Sequence, residues 1–225
     1  MIFDLTSFLI YSSVIACGIA GYGSAIFILK RVINKESIFF SLFLIGATSY
    51  VVLYVFLKIE ALKVLHYPLQ TVAIEIAIFG FFMFSYSLKK KGEDLTEMAI
   101  FLICILLIPP ILCFIFLPFI FIIEPYGYEL QIEPWFLALF SLLNMTILMY
   151  ACGYLLFLAL RSPSIKIRKK IKIIVISLII NAAIGMIFLA IIPVFFQMHD
   201  IKPIGYYLIT VFILIMVYAF RRESE

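Results

Sequence analysis

Seven long apolar stretches, at residues 5–29, 38–57, 68–88, 98–123, 135–160, 171–197 and 203–220, leave this chain almost no choice of solvent. Each is long enough, at 1.5 Å per helical residue, to cross the roughly 30 Å hydrocarbon layer of a bilayer. Hydrophobic residues make up 66% of the chain and charged ones only 13%, where a soluble domain sits near a quarter charged. No period-2 alternation runs through these stretches, which argues against an outer-membrane barrel. The expected fold is therefore all-α, a single seven-helix transmembrane domain over residues 1–225.

The basic residues set the expected orientation. Fourteen of the seventeen Lys and Arg fall in alternate connections and the C-terminal tail, and three fall in the others. Such a bias marks the cytoplasmic side, so the N-terminus is expected outside and the C-terminus in the cytoplasm of the cell membrane. Met1-Ile2-Phe3-Asp4 has no basic region and does not read as a signal peptide. The net charge of +4 belongs at the lipid headgroups, so nucleic acid is not an expected partner. The most basic segment holds Lys166, Arg168, Lys169 and Lys170, and Arg221 and Arg222 follow the last stretch. Together they form an expected cytoplasmic basic surface for anionic lipid or an acidic partner.

Polar residues inside the apolar stretches are the candidate site. Glu75 is expected about seven residues, roughly 10 Å, below the outer end of the third span. Buried carboxylates usually face a bundle interior or a watery cavity, which suggests a proton-sensitive or ligand-binding group. The plainer reading is a partly hydrated carboxylate bonded to Gln70, Thr71 or a tyrosine. Asn144 and Asn181 are the other deep polar groups, and interhelical glue is the simpler role for both. With Tyr50, Tyr54, Tyr150 and Tyr154 these residues would line one pocket. Gly18 to Ala25 reads as a small-residue face for close helix packing. Pro109, Pro110 and Pro118 are expected to kink or break the fourth span.

The loop Glu124–Trp135 carries Glu124, Tyr126, Tyr128, Glu129, Glu133 and Trp135 and no base. It is expected at the outer surface, as an interfacial anchor, a lid or a partner-docking segment. Cys17, Cys104, Cys113 and Cys152 lie in apolar stretches without metal-ligand spacing. His66 and His199 do not form a metal motif, and no cofactor is expected. The last stretch has no lysine for a retinal Schiff base, receptor triplets are missing, and no intramembrane-protease nucleophile or metal motif is present. The chain is not expected to be an enzyme.

Ile28-Leu29-Lys30-Arg31 is followed by Phe39-Phe40-Ser41-Leu42 and Gly46-Ala47-Thr48-Ser49-Tyr50. Arg168-Lys169-Lys170 opens the sixth span, Pro203-Ile204-Gly205 opens the seventh, and Tyr218-Ala219-Phe220-Arg221-Arg222 closes it. In these features the chain resembles the seven-span sensor region of prokaryotic histidine kinases and diguanylate cyclases. It departs from that pattern in having Tyr50 where the family often has tryptophan, and in lacking an output domain after the final arginines. The resemblance implies a stand-alone sensor or adaptor that relays an external or lipid-borne signal to a separate polypeptide. A non-catalytic subunit of a membrane complex, or a small proton-coupled transporter or lipid-handling protein, are the alternatives.

Overall fold

The computed structural model describes residues 5–31, 33–53, 63–88, 95–115, 121–123, 130–132, 134–162, 164–184, 187 and 202–221. They form α1 (Leu5–Arg31), α2 (Lys35–Val52), α3 (Lys63–Ser87), α4 (Thr96–Leu106) and α5 (Ile108–Ile115). After a short ladder of β1 (Phe121–Ile123) and β2 (Leu130–Ile132) come α6 (Pro134–Arg161), α7 (Ile165–Ile184) and α8 (Lys202–Arg221). Five helical segments are long and apolar enough to cross a membrane: Tyr11–Arg31, Lys35–Val52, Pro68–Ser87, Thr96–Ile115 and Leu142–Arg161. Ile204–Phe220 is a shorter apolar helix. The chain is a helical, multi-pass membrane protein.

The helices follow one another around a ring. α1 packs on α2, α2 on α3, α3 on α6, α6 on α7, α7 on α8, and α8 returns to α1. α4 and α5 lie against α3. Phe40, Leu44, Phe81, Met83, Leu155, Ile174, Val175, Ile213 and Met216 are fully buried in the core. Lipid offers such side chains as apolar a home as the protein does, so close packing must hold the helices together. Glycine provides it between α2 and α3. A Cβ at Gly46 would stand 2.6 Å from the Ala73 carbonyl oxygen, and one at Gly80 would stand 2.8 Å from the Phe39 carbonyl oxygen. In the expected small-residue face of α1, a Cβ at Gly21 would stand 2.8 Å from Thr48 Cβ, and Ala25 is buried. A Cβ at Gly23 would meet nothing within 4 Å.

Several boundaries differ from those read in the sequence. The third membrane-crossing segment, Pro68–Ser87, falls as expected, but its helix starts earlier, at Lys63, because Pro68 in the second turn interrupts only one backbone bond. Glu75 thus stands at mid-helix, about 18 Å from either end. The fourth span was expected to run to 123, but α5 ends at Ile115. Phe121, Ile122 and Ile123 instead pair antiparallel with Ile132, Gln131 and Leu130. β-Branched isoleucines suit a strand, so the all-helical expectation is modified at this short ladder. Pro109 and Pro110 follow a one-residue joint at Leu107 between α4 and α5, where the backbone itself stays helical, and Pro118 lies outside the described residues. Pro109 and Pro110 occupy the first turn of α5, where a missing N–H leaves no helical bond unmade within α5 itself.

The basic stretch after Arg161 was expected as a loop but is helical from Ile165. Five bases in the first eight residues of α7 oppose the positive end of its own dipole. Two of them bond to carbonyls at neighbouring helix ends. Arg168 Nη2 donates to the Ser162 carbonyl at 3.1 Å, just past α6. Lys170 Nζ donates to the Phe220 carbonyl in the last turn of α8 at 2.6 Å, and lies 4.9 Å from the Phe220 ring centroid. That ring stacks on Phe40 of α2 at 4.5 Å and meets Phe84 of α3 at 5.9 Å. Arg31 and Arg161 each cover an aromatic ring of their own helix, Phe27 and Phe157. The described basic clusters around Lys30–Lys35 and Arg161–Lys172 therefore gather at one end of the bundle.

Candidate polar site in the helix bundle

α3 presents two opposed faces. Ala73, Ala77 and Gly80 pack on α2, while Thr71, Glu75, Phe82 and Tyr86 form a stripe on the other side, spaced by whole helical turns. This stripe meets α5 and α6. Thr71 Oγ1 and Cys113 Sγ of α5 share a hydrogen bond at 3.4 Å. Phe82 stacks on Tyr150 of α6 at 5.8 Å, and Tyr86 lies 6.5 Å from Tyr154.

Glu75 is enclosed at the junction of α3, α5 and α6. It is only 5% exposed, and Asn144 of α6 is 7% exposed. Asn144 and Cys113 are both close enough to act on the carboxylate. Asn144 helps to hold the carboxylate, yet among the described residues neither Glu75 oxygen and neither Asn144 amide atom has a hydrogen bond of ordinary geometry. Most buried polar side-chain atoms find a partner, which makes two such neighbours unusual. Gln70 and Thr71, the sequence-derived partners for Glu75, are engaged elsewhere. Gln70 Nε2 donates to the Tyr50 carbonyl at 2.8 Å, and Thr71 holds Cys113.

The remaining candidates separate. Asn181 of α7 and Asn144 stand nearly equally far, roughly 27 Å, from the Ser162–Ser164 turn, so they share a level. The Oδ1 of Asn181 is also buried without a hydrogen bond. Glu75 lies about 16 Å above Tyr86 and Asn144 about 15 Å above Tyr154, which puts the acid on that level too. Tyr150 is 62% exposed and stacks on Tyr154 at 6.3 Å, so it belongs to an outer aromatic ladder, not to the enclosure. Tyr50 closes α2 on the far side of α3 from Glu75. Tyr54, Glu124, Tyr126, Tyr128, Glu129, Glu133 and Arg222 lie outside the described residues. Trp135, Lys166 and Arg221 are described by backbone alone.

At the basic end, Lys169 is exposed, while Arg168 and Lys170 are half-buried in the contacts given above. These two were expected as free surface charges. Among the described residues no group of three or more His, Cys, Asp and Glu is placed to hold a metal ion. The sequence reading missed Cys113, Phe82 and Tyr86. The two aromatics could have been found from their i+7 and i+11 spacing to Glu75. Cys113 could not, because only the packing of α5 against α3 brings it to Thr71. No known protein family and no curated protein matches this chain.

Proposed function

We propose that this chain is a seven-span sensor or adaptor of the cell membrane, with its N-terminus outside and its basic end in the cytoplasm. A ligand bound at Glu75 and Asn144 changes the packing of α6, α7 and α8, and a separate partner reads that change at the basic end. The observation that carries this reading is the enclosed, unpartnered pair Glu75–Asn144. Buried polar atoms left without a good hydrogen bond among the described residues favour a ligand from outside the chain. The gathering of Arg161, Lys169 and Lys172 at one end supports the orientation, since such a face meets anionic headgroups or an acidic partner surface. The resemblance to the seven-span sensor regions points the same way.

Amide hydrogen exchange in lipid nanodiscs tests the relay. Glu75→Gln and Asn144→Leu should alter protection at Lys170 and through the last turn of α8, far from either substitution. Changes confined to the neighbourhood of residues 71–78 and 140–148 would refute it. Glu75 at mid-helix also favours a second reading, a small proton-coupled transporter. Proton flux in proteoliposomes that vanishes in Glu75→Gln would select that reading over the sensor.

A further inference from the structure

The unmet hydrogen-bonding capacity of the enclosed pair specifies a kind of ligand. Glu75 offers two acceptor oxygens, and Asn144 offers one acceptor and an amide donor, none of which meets a hydrogen-bond partner of ordinary geometry among the described residues. Among the described residues no Lys, Arg or His pairs with Glu75. A carboxylate at this depth is strongly disfavoured without a countercharge and donors. Thr71 is tied to Cys113 and faces the site from the side of α5. Among the described residues nothing supplies that charge, and a bound cationic ligand would.

A primary ammonium fits this arrangement. Its three N–H donors match the two Glu75 oxygens and Asn144 Oδ1, with charge assistance on two of the three bonds. An oxygen beside it on the ligand would accept from Asn144 Nδ2. A quaternary ammonium supplies charge but no donor, and a neutral alcohol supplies a donor but no charge. The surroundings indicate where the ligand comes from. Ile78 and Phe82, about one and two turns along α3, are buried and form an apolar wall below the acid. We infer that Glu75 and Asn144 bind the primary-ammonium head of an amphiphile dissolved in the bilayer. This rests on the sensor reading and names its ligand class.

The test uses the full chain in phosphatidylcholine nanodiscs, which contain no primary amine. Dodecylamine, dodecanol and dodecyltrimethylammonium are the probes, with melting temperature and native-mass adducts as readouts. A hundredfold excess of dodecylamine over its Kd should raise the wild-type Tm by roughly 5–10 °C and give a one-to-one adduct. Neither of the other probes should do so, and Glu75→Gln should lose both effects while melting no lower than wild type without ligand. Asn144→Leu should weaken the amine at least tenfold. Equal shifts with the quaternary probe, or an amine shift that survives in Glu75→Gln, would overturn the proposal. So would a Glu75-dependent shift with dodecanol alone, which would leave the sensor reading standing. If dodecylamine binds as expected but exchange at Lys170 and Phe220 is unchanged, the ligand class holds and the relay fails.

Discussion

Adding one methyl group at Gly46 should loosen the contact between α2 and α3. A Cβ there would stand 2.6 Å from the Ala73 carbonyl oxygen and 2.8 Å from Ala77 Cα, where ordinary contact begins near 3.4 Å. The Ala77 nitrogen obstructs it too, and all three atoms are backbone, so no rotamer change relieves them. That nitrogen lies closest of all, so the two helices must part by about 1 Å, and a gap of that size forfeits a quarter to a half of each facing contact. Overpacking of this kind costs about 1–3 kcal/mol. Gly153 on α6 supplies the control, since a Cβ there meets nothing within 4 Å. Alanine favours a helix over glycine by about 1 kcal/mol at either position, so the difference between the two variants isolates the packing cost. Gly46→Ala should therefore be less stable than Gly153→Ala by about 1–3 kcal/mol. Unfolding in mixed micelles by SDS titration, followed by circular dichroism, measures both. Gly80→Ala should resemble Gly46→Ala, and the double variant should lose less than the sum because one separation relieves both clashes. A difference below about 0.5 kcal/mol between Gly46→Ala and Gly153→Ala would refute the close-contact argument.

Further outcomes follow from other parts of the bundle. Lys170→Met keeps the apolar stem and removes the donor to Phe220, so stability should fall by about 1 kcal/mol and exchange at the α8 C-terminus should rise; unchanged exchange there would remove the tie. Replacing Glu75 and Asn144 together by leucine should stabilise the ligand-free protein by about 1–3 kcal/mol in the same SDS titration, and a loss would make the pair structural. In detergent, a maleimide should modify exposed Cys104 well before buried Cys17, Cys113 and Cys152, as peptide mapping would show. Reporter fusions should place the C-terminus in the cytoplasm and the N-terminus outside, and the opposite signals would overturn the proposed orientation.

Much of the helical frame was legible because it depends on local composition. The ends of α1, α6 and α8 lie within two residues of the apolar stretches, and Asn34 before Lys35 behaves as its side chain suggests, accepting from Ser37 N at 2.7 Å. Where the reading went astray, a local signal had been interpreted without its neighbours. The bases of 166–172 suggested a loop, yet Arg168 and Lys170 find carbonyls at the ends of α6 and α8 that only the folded bundle supplies. Glu75 and Asn144 were conspicuous as deep polar residues, and the fold brings them together. The tyrosines were conspicuous for the same reason, but position around each helix separates them. Tyr150 turns outward while Tyr50 sits behind α3, because small angular differences decide which face meets which neighbour.

The joint at Leu107 has a mechanical consequence for the enclosed acid. Along an uninterrupted helix, each residue's N–H ties it to the turn before. Pro109 and Pro110 have no N–H to give, so two of the rungs that would bind α5 back to α4 are missing by chemistry. α5 is the helix whose Cys113 lies beside Glu75. Swinging it away from α3 would break the Thr71–Cys113 contact and side-chain packing, but few backbone bonds. Of the three helices that wall in Glu75, α5 is the one whose backbone ladder is thinned by proline just before it reaches the acid.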